Sequence, residues 1–193
     1  MIFKVVGLGH INVVVDDLPS AVEYYKKLFS AKQVQIFPHF KNIGFAKSAG
    51  FMQFPEKVDV TISFLKILHT SIYIELMQYH SPIGKEKDIS EKFSNDMGDI
   101  GHICLKVDNI DDAFYHIKNI PDTKLITDHE EYRPYKIDDI TPAEFQFIDN
   151  EAENNQTSKK SVCDIVGKIR YFYFIDKYGI QWEFEQGHSD IGE

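Results

Sequence analysis

Residues 9–28 read GHINVVVDDLPSAVEYYKKL, and residues 101–120 read GHICLKVDNIDDAFYHIKNI. The two stretches align without a gap. Gly9/Gly101, His10/His102, Ile11/Ile103, Val15/Val107, Asp16/Asp108, Ala21/Ala113 and Lys26/Lys118 are identical, and Val13/Leu105, Leu18/Ile110 and Leu28/Ile120 keep their apolar character. Self-similarity of this kind marks a duplicated structural unit. A second echo follows in each half, where Ile72-Tyr73-Ile74-Glu75-Leu76-Met77-Gln78 matches Ile180-Gln181-Trp182-Glu183-Phe184-Glu185-Gln186. The chain is longer between the landmarks of the second half, so that half carries an insertion. The polar run 149–160, DNEAENNQTSKK, sits there and reads as a solvated loop within an insertion spanning about 144–162.

Each half reads as β-α-β-β-β. Val5 to Val15 is rich in β-branched residues and bounded by Asp16-Asp17, which favours a strand. Pro19 to Ala31 follows as a helix, with Val22, Tyr25 and Leu28-Phe29 on one face and proline in its first turn. Gln33 to Phe45, Asp59 to Ile67 and Ser71 to Tyr79 complete the first set of strands. In the second half, Ile100 to Val107 is a strand, Ile110 to Asn119 a helix, and Lys168 to Ile175 and Ile180 to Gln186 are strands. The turn Asp176-Lys177-Tyr178-Gly179 joins the last two, with Gly179 suited to positive φ. The expected fold is α+β: a single domain over 1–193, built from two tandem βαβββ modules, 1–90 and 98–188, whose mixed sheet is cupped.

The composition narrows the function classes. The chain has 193 residues, 43% of them hydrophobic, which is ample for a packed core. A net charge of −9 with no basic stripe argues against nucleic acid or anionic membrane as partner. Cys104 and Cys163 are the two cysteines, too few for a disulfide framework and without a Cys-x-x-Cys pair. No signal-peptide pattern opens the sequence, and no stretch reaches the roughly 20 apolar residues of a membrane span. A reduced, cytoplasmic setting and a small-molecule substrate are the expectations.

The repeat sets a histidine and a glutamate at matching points of each half. Strand alternation puts Glu75 on the side opposite Ile74 and Leu76, and Glu183 opposite Trp182 and Phe184. Each glutamate then points away from the helix-covered core. His10 and His102 each follow a glycine at the start of an apolar strand. A lone strand histidine or glutamate is an ordinary surface residue; four at repeat-equivalent positions make an N₂O₂ set suited to one divalent ion of moderate hardness, with coordination positions left for water or substrate. His39, His69, His80, His116, His129 and His188 have no repeat partner and read as surface or loop residues.

These residues resemble the vicinal-oxygen-chelate superfamily, which includes glyoxalase I. The resemblance is carried by Gly9-His10-Ile11 with its strand and helix, Ile72-Tyr73-Ile74-Glu75, Gly101-His102-Ile103 and Asp176-x-x-Gly179-x-x-x-Glu183. It implies paired βαβββ modules around a metal ion (Ni, Zn, Co, Mn or Fe) held by His10, Glu75, His102 and Glu183. Extradiol dioxygenases of the superfamily use two His and one Glu on iron, matching His10, His102 and Glu183, while epimerase-like members carry Gln at the position of Glu75. Glu75 therefore favours the glyoxalase I-like set. The resemblance implies a lyase or isomerase that chelates two neighbouring substrate oxygens and stabilises an enediolate, with Glu183 and Glu75 as the catalytic bases; a thiol hemithioacetal is one such substrate. An iron-dependent ring-cleaving dioxygenase, with Glu75 outside the ligand set, and a non-enzymatic small-molecule binder remain open alternatives.

The substrate is less legible. Arg133 and Arg170 are the only arginines. Arg133 lies in a segment, 130–136, that reads as an exposed loop or a cover over the cup, and Arg170 reads as paired with an acid on a neighbouring strand. The aromatic, glycine-bearing segment 37–54 lines a pocket or packs. The two modules can complete the site within one chain or exchange between subunits of a homodimer.

Overall fold

The computed structural model describes residues 7–85, 94 and 100–187. The chain divides into two compact units, Met1–Asp88 and Ile89–Glu193, each built on its own mixed sheet. The architecture is α+β. No helix among the described residues is long and apolar enough to cross a membrane.

The first unit runs β1 (Ile11–Val14), α1 (Leu18–Phe29), β2 (Ala31–Phe40), α2 (Ile43–Ser48), β3 (Asp59–Ile67) and β4 (Tyr73–Ser81). Its sheet has the order β1-β4-β3-β2, with β1 parallel to β4 and the other pairs antiparallel. The Asp17 side chain caps α1 by accepting from the Ser20 amide, and Pro19 occupies the first turn, where a missing N–H costs nothing. Leu18, Ala21, Val22, Tyr25 and Leu28 form its buried stripe and lie over β3 and β4. Leu65, Ile74 and Leu76 are fully buried on the helix-covered face. On the opposite face Val60, Ile62 and Met77 form a second cluster, against which Phe37, Phe40, Phe45, Phe64 and Tyr79 pack.

The strand expected over Gln33–Phe45 starts earlier and stops at Phe40. The Asn42 side chain accepts from the Phe45 amide at 2.9 Å and starts α2 instead. Val5 and Val6, placed in the first strand from sequence, lie outside the described residues.

The second unit runs β5 (Ile103–Lys106), α3 (Ile110–Lys118), β6 (Lys124–Leu125), β7 (Tyr135–Lys136), α4 (Asn150–Glu153), α5 (Gln156–Val166), β8 (Arg170–Ile175) and β9 (Gln181–Gln186). The order is β5-β9-β8-β6, with β7 also pairing β8. Where the first unit has one ten-residue strand, β2, the second has two short ladders, β6 and β7, on β8. The turn between β8 and β9 is built by Asp176. One carboxylate oxygen accepts from the Tyr178 and Ile180 amides at 2.9 Å, and the other accepts from the Trp182 indole at 2.9 Å. Gly179 completes the turn at φ 79°.

The polar run 149–160 is not a solvated loop. Asp149 caps α4 and Asn155 caps α5, each accepting from amides at the start of its helix. Lys159 is buried, donating to Glu153 at 2.6 Å and to the Phe145 carbonyl at 3.2 Å. Polar composition alone conceals this, because Asn and Asp serve loops and helix caps equally.

Candidate metal centre

In the first unit the parallel register sets Asn12 of β1 beside Glu75 of β4, and the antiparallel register sets Phe64 of β3 on its other side. His10, two residues before Asn12, therefore reaches the same face. Its Nε2 lies 3.1 Å from Glu75 Oε2. The Asn12 amide donates to the same Oε2 at 2.9 Å and fixes the carboxylate, which is itself buried. The edge of Phe64 meets the His10 ring at 5.9 Å between centroids. His10 and Phe64, with Gly9, Val34, Gln35 and Tyr73, line a cleft of about 270 Å³.

The second unit repeats the arrangement. Cys104 of β5 and Tyr173 of β8 flank Glu183 of β9 in register, and His102 Nε2 lies 3.0 Å from Glu183 Oε2. The flanking chemistry differs: Cys104 stands where the first unit has Asn12, and Tyr173 where it has Phe64. Burial pushes the Glu183 carboxyl above the ordinary range, as does the nearby Glu185 carboxylate. Hydrogen bonds from the Tyr173 hydroxyl and the Cys104 thiol, and the His102 ring, offset this only in part. Burial also raises the Tyr173 hydroxyl, reinforced by the charge of Glu183. Although Cys104 is an exposed residue, its thiol is pushed up to about 12, first by partial desolvation against the strand and then by Glu183 and Glu185, so it stays protonated at neutral pH. Tyr132 pins this strand: its hydroxyl accepts from the Tyr173 amide at 2.8 Å and donates to the Tyr173 carbonyl at 3.3 Å.

The structure thus places His10 with Glu75 and His102 with Glu183, each pair inside its own unit. Around an octahedral ion, ligand bonds of about 2.1–2.2 Å place neighbouring ligands roughly 3 Å apart. Both His–Glu pairs have that spacing, and their imidazole and carboxylate donors fit a divalent ion of moderate hardness.

Two clusters escaped the sequence reading. Cys104, Glu183 and Glu185 come together in the second unit, and His39, Asp59 and His80 in the first. His39, at the surface as expected, and His80, which is half-buried, belong to strands β2 and β4 and not to loops. His188 lies outside the described residues. Alternation from His102 points to Cys104, whereas Tyr173 needs the register that the Asp176 turn imposes. Arg170 makes two 2.7 Å hydrogen bonds to Asp111, on α3 rather than on a neighbouring strand. Arg133 lies over the Tyr135 ring at 5.2 Å. In the segment 37–54, Phe37, Phe40 and Phe45 pack on the sheet while Phe54 is exposed.

The family model described as Glyoxalase/Bleomycin resistance protein/Dioxygenase superfamily matches residues 7–120. Among solved structures, a glyoxalase family protein from Bacillus cereus is similar at TM-score 0.62 and 12% identity, covering 95% of each chain. The fosfomycin resistance protein FosX from Listeria monocytogenes aligns at TM-score 0.49 and 15% identity, over 97% of this chain and 95% of its own. The FosX protein from Mesorhizobium loti aligns at 0.46 and 16%, over 94% and 91%. No curated protein sequence matches the chain.

Proposed function

The chain belongs to the Glyoxalase/Bleomycin resistance protein/Dioxygenase superfamily, and from that premise we propose that it is a metal-dependent lyase or isomerase of the glyoxalase I type. His10, Glu75, His102 and Glu183 act together on one divalent ion in this reading. The supporting observation is the repeated pair: the same two atoms, Nε2 and Oε2, at 3.1 Å in one unit and 3.0 Å in the other. When bound, such an ion polarises neighbouring oxygens of a substrate and offsets the negative charge that develops as a carbon acid loses its proton.

The two glutamates are the proton carriers, and their surroundings divide the work. Glu183 is the stronger candidate base, because burial holds its carboxyl above the usual range. Tyr173, hydrogen-bonded to it, orients the carboxylate and supplies a neutral donor at the substrate-facing side of the strand. Glu75 is held by the Asn12 amide instead of a hydroxyl. The cleft beside His10 is walled by Val34, Phe64 and Tyr73, which suits a small substrate with an apolar portion. Since Arg170 is committed to Asp111, we favour a substrate of low charge over a large anionic thioester.

Two measurements test the reading. Elemental analysis of protein purified without chelator should show one ion per chain more in the wild type than in His10→Ala/Glu183→Ala. Solvent deuterium incorporation into hemithioacetals of small thiols and of glutathione should then be lost in Glu183→Gln. Equal metal content in both proteins overturns the centre. Full exchange in a metal-loaded Glu75→Gln/Glu183→Gln variant overturns the proton-transfer role.

A second reading draws on one observation. Glu75 Oε2 already receives the Asn12 amide, which suits a glutamate standing beside an iron ion held by His10, His102 and Glu183. That site belongs to a ring-cleaving dioxygenase, and oxygen uptake with a catechol separates the two readings.

A further inference from the structure

On the face of the first sheet opposite Glu75, three potential ligands meet where no repeat partner exists. Alternation along β4 puts His80 with Ile74, Leu76 and Gln78, away from Glu75 and Met77. The register of β2 on β3 is interrupted between Phe37 and Phe40, and inside that irregularity His39 adopts φ 49°, a left-handed conformation that a non-glycine residue holds only at a cost. The bend carries the His39 ring onto Asp59, with Nδ1 3.0 Å and 3.1 Å from the two carboxylate oxygens. It also lays His39 against His80, the rings stacked at 4.5 Å between centroids. Thr61 ties the pair, its hydroxyl oxygen 2.8 Å from His80 Nε2 and 3.3 Å from the His39 amide nitrogen. The ligand atoms of His39, Asp59 and His80 lie within 4.8 Å of one another.

We propose that His39, Asp59 and His80 form a second divalent-ion site, for a borderline ion such as Zn²⁺, that staples the bulge of β2 to the ends of β3 and β4. Two imidazoles and one carboxylate are the donor types that such ions select. A tetrahedral ion with ligands at about 2.0–2.1 Å sets its ligand atoms roughly 3.4 Å apart, so a modest inward turn of the rings closes the site. The His39 side chain is 65% exposed and has room to make that turn. Unpaired by an ion, the arrangement packs two imidazoles face to face beside a carboxylate; an ion gives all three a common partner. Lys41 is the competitor: its Nζ lies 3.4 Å from Asp59 Oδ2 on a largely exposed chain, and it must swing aside as the ion enters.

This inference stands independently of the centre at His10 and Glu183, and the experiment keeps the two apart. Zn²⁺ is titrated calorimetrically into chelator-treated His10→Ala/Glu183→Ala protein, which lacks the first centre. One ion per chain is expected there, bound more than tenfold more weakly when His39→Ala or His80→Ala is added. Lys41→Ala should strengthen binding, because it removes a cation from the carboxylate while leaving all three ligands in place. Circular dichroism spectra unchanged between the variants show that the fold is retained. No Zn²⁺ binding in the double-mutant background, or binding indifferent to both His39→Ala and His80→Ala, overturns the proposal whatever the first centre proves to do.

Discussion

At the scale of single residues, Phe64 and Tyr173 occupy one of the two flanking positions, the other held by Asn12 and Cys104, at which the two His–Glu pairs differ. Each stands in register beside the glutamate of its unit, but only the tyrosine can hydrogen-bond it. With the Glu183 carboxyl raised by burial, the metal-free folded protein binds that proton more tightly than the unfolded chain does. Stability from this group is therefore full below the ordinary glutamate pKa and falls as pH rises from there to the raised folded value. Metal-free Glu183→Gln should melt higher than metal-free wild type at pH 7, and the gap should close at about pH 4, near or below the unperturbed glutamate pKa. Thermal melts at the two pH values check it; a constant gap places the effect outside this titration. Duplication singled out His10, Glu75, His102 and Glu183 as candidates, and each histidine lies against the glutamate of its own unit. Tyr173 was not legible in this way, because its counterpart is Phe64 and nothing is repeated. His39 and His80 were hidden for a different reason: a bulge brings them together, and bulges leave no periodic trace.

At the scale of elements, the repeat explains itself through Gln78 and Gln186. Gln78 accepts from the Leu18 amide at 3.1 Å and donates to the Asp16 carbonyl at 2.7 Å, tying the start of α1 to the end of β4. Gln186 makes the same two bonds to Ile110 and Asp108 at the start of α3. The glutamine three residues beyond each of Glu75 and Glu183 is thus a structural clamp between strand and helix. Asp176 has a comparable role in the second unit, where it is buried and holds the turn that sets the register of Glu183. Asp176→Ala strands a buried indole N–H and two turn amides, which should cost about 2–4 kcal/mol. Urea unfolding followed by the fluorescence of Trp182, the one tryptophan of the chain, measures it in the right unit. A loss within 0.5 kcal/mol, about the size of an ordinary surface change, would mean that the turn is held by other means. The same emphasis on caps explains where reading elements from sequence fell short. Asp59–Ile67 has the strand bounds that its alternation implies, yet Asn42, Asp149 and Asn155 start helices in segments read as strand or loop.

At the scale of the whole molecule, the duplication gives the proposed centre a consequence that no single pair has. If each unit bound metal by itself, removing His10 and Glu75 would leave the ion on His102 and Glu183 untouched, and the two losses would add. A single ion sharing all four ligands behaves otherwise: damage to either half removes the same ion. The comparison is cleanest in a His39→Ala/His80→Ala background, so that the second site does not contribute to the count. There, His10→Ala/Glu75→Ala and His102→Ala/Glu183→Ala should each abolish bound metal, and combining them should change nothing further. Chelation should act in the same way on stability. At an ion concentration of about 1,000 times Kd, binding to the folded state alone contributes about 4 kcal/mol. EDTA should therefore lower the melting temperature of the parent protein and leave both double variants unmoved. Half the metal retained in either variant would divide the centre in two, with one ion on each His–Glu pair, and would overturn the shared site.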